Sequence, residues 1–271
     1  MATRIDTYDQ FVSPDWDPLI YEKLYIPQQE DGKILIDKIN INKTDSILDI
    51  GSGTGNLTFE LAKRAINGRV LGIDLSKNMI EYSKNSAEYS TLKNIDFIQC
   101  NLLEIDFEST FNVIFSNYVL HWIEDLEKAL RLIYQALAAN GTVGLQISSK
   151  GCFSLDAQSA SRVVDKLSLN NEFENYLWPC HYPEKSDVEQ IMNKIGYREI
   201  RTEEYSKDYY FINPEFAINF HLRGGFQSLL SKVPDHLKTL FLEELFNEFC
   251  KRRTEKGILT NIKGLYIFAN K

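Results

Sequence analysis

Leu48-Asp49-Ile50-Gly51-Ser52-Gly53-Thr54-Gly55-Asn56 is the stretch whose reading decides the fold. The apolar run from Ser46 to Ile50 predicts a strand, and Leu57 to Ala65 has apolar residues at helical spacing. Between them stand three glycines at alternate positions. A turn without Cβ atoms lets a ligand come close to the backbone, and the following helix start offers unpaired N–H groups. The spacing, Gly51-x-Gly53-x-Gly55, departs from the Gly-x-Gly-x-x-Gly that seats a dinucleotide pyrophosphate. It suits a ligand that brings a carboxylate to the amides and a cation to an acid such as Asp49. A tight turn with no ligand is the rival reading.

Working outward, the same rhythm repeats. Strands are predicted at Arg69–Asp74, Ile95–Ile98, Phe111–Ser116 and Thr142–Ile147, with a helix capped by Ser76 and another over Leu126–Leu137. Strands alternating with helices imply βαβ units around a parallel sheet. Asp74 ends the second strand about 20 residues past Gly55, where a doubly wound sheet brings a carboxylate to ribose hydroxyls. Its rival role is to buttress the turn that Ser76 caps. After the third strand, Asn101 suits an adenine amino group while Leu102 packs on the ring; the alternative is a turn asparagine. The run Ser116-Asn117-Tyr118-Val119-Leu120-His121-Trp122 leaves the fourth strand beside the first, the expected ligand crevice.

Past residue 150 the rhythm changes. Residues 152–180 read as helix and loop, 186–195 as a helix, and the stretch to about Tyr205 as a strand. Residues 214–253 read as mostly helical, and 260–269 as a closing apolar strand.

The chain has 271 residues, of which 44% are hydrophobic and 25% charged, enough for a full core. Asp plus Glu, 38, outnumber Lys plus Arg, 30, for a net charge of −8. That balance disfavours a nucleic-acid partner; the one basic cluster, Lys251-Arg252-Arg253, reads as a solvated helix end. Cys100, Cys152, Cys180 and Cys250 match neither a zinc pattern nor a disulfide framework, so no metal is expected. No signal-peptide core opens the sequence and no run of about 18 apolar residues spans a membrane. The expectation is a cytoplasmic protein without a membrane partner, monomeric or homodimeric.

The segment from Ile47 to Gly55, Asp74, and Asn117 to Trp122 together with Leu126 to Gly141 resemble the S-adenosylmethionine (SAM)-dependent methyltransferase superfamily, class I. Within it, the Leu120-His121-Trp122 stretch and helical tail resemble the trans-aconitate, juvenile hormone acid and malonyl-carrier-protein methyltransferases. The resemblance implies an α/β fold: a Rossmann-like, doubly wound, seven-stranded sheet, its last strand antiparallel, with a mainly helical cap. The implied divisions are residues 1–150 for the SAM-binding core with N-terminal lid helices, 151–259 for cap insertions and remaining core elements, and 260–271 for the final core strand. It implies SAM as cofactor, held by Tyr8, Asp49, Gly51, Ser52, Gly53, Gly55, Asp74, Leu75, Met79, Asn101, Leu102, Ser116 and Asn117. Gln28 matches a glutamine near the methyl donor and Trp122 an active-site tryptophan; with His121 they form the expected catalytic set. Asn101 departs from an aspartate common in relatives, yet still accepts from an adenine amine.

Methyl transfer from a sulfonium is an in-line displacement, so positioning supplies much of the catalysis. A carboxylate acceptor needs no base, whereas a phenol, amine or carbon acceptor calls for one, and His121 is the candidate. Aromatics from Phe153 to Phe226, among them Tyr176, Trp178, Phe211 and Phe220, either line an acceptor cavity or pack the cap's own core. Arg223 is either a carboxylate clamp or a surface residue. Tyr8, Tyr21 and Tyr25 lie in a segment able to fold over the cofactor. The expected acceptor is a small apolar or aromatic-containing molecule, with O-methylation of a carboxylate or hydroxyl ahead of C- or N-methylation. The alternatives are an RNA or protein methyltransferase and a non-catalytic SAM-binding protein. A nicotinamide dehydrogenase is disfavoured by the glycine spacing.

Overall fold

Strand β1 (Ser46–Ile50) lies between β2 (Arg69–Asp74) and β4 (Phe111–Asn117), parallel to both. The chain builds outward on one side to β3 (Ile95–Gln99), then crosses back to β4 and on to β5 (Leu137–Ser148). Strand β8 (Gly257–Asn270) runs antiparallel to β5, pairing Val143 with Ala269, and β6 (Arg198–Phe211) closes the order β3-β2-β1-β4-β5-β8-β6. A two-residue strand, β7 (Arg253–Thr254), pairs with β8 off this path. The seven-stranded sheet with an antiparallel last strand is therefore present, with β7 as an addition. The reversal of strand order falls between β1 and β4, so the carboxyl ends of these strands open the crevice typical of such sheets.

The computed structural model describes residues 17–24 and 26–271. They fall into two units. The first comprises residues 17–24, 26–150, 182–205 and 264–271; the second comprises residues 151–181 and 206–263.

In the first unit, near-continuous apolar strands bury both faces of the sheet under helices. On one face, α6 (Leu126–Ala136) presents Ala129, Leu130, Ile133 and Ala136, all fully buried, after the Asp125 side chain caps its first turn. Helix α8 (Lys185–Ile195) joins it through Val188 and Met192 and stops at Gly196. On the other face, α3 (Asn56–Arg64) buries Phe59, Leu61 and Ala62. Helix α4 (Lys77–Lys84) buries Met79 and Ile80, and its cap is the predicted one: Ser76 Oγ accepts the Met79 N–H at 3.3 Å. The short α5 (Ala87–Thr91) precedes β3. Two helices before β1 had no clear periodic signal: α1 (Pro18–Leu24) and α2 (Ile26–Asp37). Leu35 and Ile36 of α2 nonetheless sit fully buried in a cluster with Val113, Phe115 and Phe268.

The second unit is mainly helical: α7 (Ser154–Lys166), α9 (Pro214–Leu222), α10 (Phe226–Lys232) and α11 (Asp235–Cys250). The expected helical stretch 214–253 is thus three helices; Pro234, the residue before α11, separates the last two. Phe226 stacks on His221 with ring centroids 4.6 Å apart, and Phe211 and Phe220 pack edgewise nearby. These aromatics form the unit's interior. Inside it lies Asp156, which accepts from Arg252 at 2.7 Å and from Thr260, with His221 Nε2 at 3.5 Å. Burial alone raises an acid, but His221 and Arg252 hold the Asp156 carboxyl below the usual range. Arg252 is therefore no solvated helix-end residue: only 12% of its side chain is exposed, because it neutralises a buried carboxylate. Cys152 and Cys180 are buried, and Cys100 and Cys250 half-buried.

Candidate active site

The glycine turn is built by close approach. Gly51 and Ser52 both donate their N–H groups to Ile73 O, at 2.8 and 2.9 Å, tying the turn to the end of β2. Gly51 has φ +73°, and a Cβ there would stand 2.1 Å from Val119. Gly53 differs. Its φ is +54°, yet among the described residues a Cβ would meet only Tyr21, at 4.0 Å. Among the described residues the face of Gly53 is thus left open to an approaching ligand.

Around this turn stand two acids. Asp74 Oδ2 accepts the Gly53 N–H and Oδ1 accepts the Ser76 N–H, each at 2.8 Å. The buttressing role considered as a rival is real. It coexists with a ribose role, since each carboxylate oxygen has two acceptor sites. Asp49, 2% exposed, accepts from Thr58 Oγ1 at 2.6 Å. Burial pushes its carboxyl up to about 7; the Thr58 bond opposes the shift and Asp74 adds to it. Tyr21 on α1 lies in the same field: burial, then Asp74, Glu22 and Asp49, raise its phenol. Asn56 Nδ2 donates to Glu22 Oε1 at 2.6 Å, holding α1 against the start of α3.

The remaining predicted residues vary in role. Ser52 Oγ is buried with no hydrogen-bond partner among the described residues. Leu75, beside Asp74, is 69% exposed, whereas Met79 and Leu102 are buried. Asn101 uses its side chain as a cap, Oδ1 accepting the Leu103 N–H at 3.0 Å. Ser116 Oγ donates to Ile50 O at 3.0 Å, so this hydroxyl joins β4 to β1. Asn117 Nδ2 donates to Gln28 O at 2.9 Å, which brings α2 to the carboxyl end of β4. Gln28 Oε1 is buried and has no partner among the described residues. Tyr8 and Tyr25 lie outside the described residues.

His121 and Trp122 follow in a single 3-10 turn, with ring centroids 5.6 Å apart, and Tyr182 lies 6.1 Å from the imidazole. His121 Nδ1 accepts the Ser148 N–H at 3.4 Å. A neutral imidazole that accepts at Nδ1 carries its proton at Nε2. Burial lowers the pKa of His121 to about 3, so the ring is neutral. It presents a donor, not a basic nitrogen, at Nε2. Trp122 is 39% exposed. Arg223 lies at the C-terminal end of α9 in the second unit.

Sequence reasoning places Tyr21 only as a general lid residue and Tyr182 and Tyr205 only among the cap aromatics, whereas both belong to the first unit; it offers no reading of Asp31. Tyr182 and Tyr205 come from distant chain segments, and no motif marks them. Asp31 sits in α2, a helix that the resemblance implies but that no apolar periodicity marks.

The turn, the two acids and the open Gly53 face fit the donor chemistry of SAM: amides for its carboxylate, a buried acid for its ammonium, a second acid for its ribose. Comparison with known proteins agrees. A family described as a methyltransferase domain matches residues 41–196, more than half of the chain. The chain belongs to this methyltransferase family, of the SAM-dependent class. Juvenile hormone acid O-methyltransferase of Drosophila melanogaster is 28% identical over 191 residues, which cover 66% of this chain and 64% of that protein. Malonyl-[acyl-carrier protein] O-methyltransferase of Calditerrivibrio nitroreducens is 23% identical over 93% of this chain and 91% of its own. Against other curated relatives the chain spans 65% of a demethylmenaquinone methyltransferase from Lactococcus lactis and 51% of a malonyl-[acyl-carrier protein] O-methyltransferase from Acetivibrio thermocellus. Among solved structures, phosphoethanolamine N-methyltransferase 2 of Haemonchus contortus, in complex with S-adenosylhomocysteine, superposes with TM-score 0.62 at 18% identity, covering 99% of this chain and 61% of that one. No described helix is long and apolar enough to cross a membrane.

Proposed function

We propose that this protein transfers the methyl group of SAM to an oxygen of a small acceptor, with a carboxylate favoured over a hydroxyl. The carrying observation is the pair of acids at the glycine turn, Asp49 buried on Thr58 and Asp74 bridging Gly53 and Ser76. In this reading the SAM ammonium meets Asp49, its carboxylate meets amides of the turn, and its ribose hydroxyls donate to Asp74. Leu75, Met79 and Leu102 wall the adenine, with Asn101 at its edge. Ser52, Ser116 and Asn117 complete the donor side, the last two chiefly by holding β1, β4 and α2 in place.

The acceptor oxygen attacks the methyl carbon as the carbon–sulfur bond breaks, leaving S-adenosylhomocysteine neutral at sulfur. A carboxylate needs no proton removed. That suits a site whose neutral histidine, His121, offers Nε2–H as a donor to the acceptor's second oxygen. Trp122 walls the acceptor, and Gln28 on α2 bounds the donor. The named O-methyltransferase relatives support an oxygen acceptor. The acidic balance, −8, supports a small molecule over RNA.

The test is calorimetric titration with SAM, S-adenosylhomocysteine and NAD. Labelled methyl transfer to carboxylic acids, phenols and amines is then measured. Micromolar binding of both SAM species, none of NAD, and label in base-labile esters is the expected result. Label in amines or tRNA instead would overturn the acceptor class. Binding without any transfer would favour a SAM-binding protein that does not catalyse.

A further inference from the structure

A one-directional chain of hydrogen bonds runs through the first unit beside the donor crevice. Tyr118 Oη donates its only proton to Asp31 Oδ2 at 2.8 Å. Tyr118 Oη and Tyr205 Oη lie 2.6 Å apart, so Tyr205 is the donor between them. Tyr205 Oη in turn accepts from Gln146 Nε2 at 2.7 Å. Amide, phenol, phenol and carboxylate thus point the same way, an arrangement in which each bond polarises the next. Asp31 is 3% exposed and Gln146 is fully buried. Burial foremost keeps both phenols protonated.

The chain grips one helix. Asn117 and Tyr118 are consecutive, and both hold α2: Asn117 at the Gln28 carbonyl, Tyr118 at the Asp31 side chain. Residues 28 and 31 lie one turn apart on the same helix face. Tyr118 reaches Asp31 from a left-handed backbone conformation, φ +58°, rarely adopted by a residue with a Cβ. Its own N–H meanwhile donates to Gln146 O at 2.8 Å. Backbone held in this region at a crevice marks a position that the surrounding structure over-determines. Helix α2 has little slack on this face, where a Cβ on Gly32 would lie 2.3 Å from Leu57 and 3.0 Å from Asn117 Nδ2.

We infer that Tyr205 and Tyr118 are positioning residues of the methyl-donor site: acting through Asp31, they set the place of α2 and hence of Gln28 against the bound donor. The inference rests on the donor-site reading above. Neither phenol contacts the donor in this scheme.

The experiment is calorimetric titration of Tyr205→Phe with SAM and S-adenosylhomocysteine, alongside thermal unfolding without ligand. Tyr205→Phe keeps the ring packed on Tyr266 and removes the hydroxyl link. Affinity for both ligands is expected to fall about tenfold, the net effect of one buried hydrogen bond. The control is Tyr197→Phe. It deletes another buried phenol bond, to Leu130 O at 2.8 Å, on the α6 side of the sheet. It is expected to lower the unfolding temperature while leaving both affinities within twofold. Tyr118→Phe is the second variant should Tyr205→Phe fail to fold, with the same expected loss. Gln28→Ala, added to Tyr205→Phe, is expected to cost less than in the wild-type background. Unchanged affinity in both phenol variants, an equal loss in the control, or strictly additive losses with Gln28→Ala would overturn the inference while leaving the donor reading intact. A wild-type protein that binds neither ligand would overturn the donor reading and this inference together.

Discussion

The Gly53 N–H donates to Asp74 Oδ2 across 2.8 Å, joining the glycine turn after β1 to the acid at the end of β2. One carboxylate thereby shapes the turn and stands beside the open face of Gly53. Shape and binding are therefore separable by substitution. Asp74→Asn retains one oxygen for the Gly53 N–H and gives up charge. Asp74→Ala gives up both. We expect Asp74→Ala to cost about 2–3 kcal/mol of SAM affinity, the range for hydrogen bonds to a charged group, and Asp74→Asn to cost less. Calorimetry decides; equal affinity in Asp74→Ala removes this acid from the ribose site.

Asp49 gives a pH signature. Its pKa, raised to about 7 in the free protein, means that a cationic ligand must bind the ionised minority below that pH. SAM affinity should rise with pH up to about 7 and level off above it, with proton release on binding below 7. For the free protein the sign is opposite. A carboxyl raised above its unfolded value loses stability as pH climbs from about 4 to about 7. Asp49→Asn should therefore raise the unfolding temperature of the free protein at pH 8 and weaken SAM by at least ~2 kcal/mol. Affinity that is flat from pH 5 to 8 contradicts the assignment.

His121 should not act as a base. Its pKa, lowered to about 3 by burial, keeps the ring neutral at working pH. The stability that neutral ring contributes is present above the unfolded value near 6.5 and is lost as pH falls toward 3. Nitrogen-15 NMR should find the proton on Nε2 and no titration between pH 5 and 8. A histidine titrating near 6.5 in that spectrum, assigned through loss in His121→Phe, would restore the base.

The two open questions at the turn separate by alanine scanning. Gly51→Ala puts a methyl 2.1 Å from Val119 at φ +73°, and about 2–4 kcal/mol of stability should go. Gly53→Ala meets nothing closer among the described residues than Tyr21 at 4.0 Å, so the backbone cost of about 1–2 kcal/mol is the stability change expected. Its larger effect should be on SAM, whose approach the methyl obstructs. Denaturant unfolding and calorimetry on both variants test the contrast; a Gly53→Ala protein that binds normally shows that the ligand does not use this face.

Asp156 should be the most sensitive buried charge in the second unit. Asp156→Ala leaves Arg252 and His221 without their shared carboxylate, and we expect a loss of about 3–5 kcal/mol. Thermal unfolding measures it.

Local sequence determined the sheet from Ser46 to Ile147, because strands buried on both faces must be apolar and a tight strand-to-helix turn has no room for a Cβ at Gly51, against Val119, or at Gly55, against Phe97. Asp74 and Ser76 were legible for the same reason: acid and cap occupy set positions after a strand. The helices before β1 were implied by the resemblance and not legible from periodicity, since α2 mixes Gln28, Asp31 and Gly32 with its apolar residues and owes its burial to Phe115 and Phe268, far along the chain. The tautomer of His121, the pairing of Arg252 with Asp156, and the chain from Gln146 to Asp31 were decided only by tertiary structure. Each depends on a partner brought from more than 25 residues away, and on burial, which sets which nitrogen holds a proton and which acid keeps its charge.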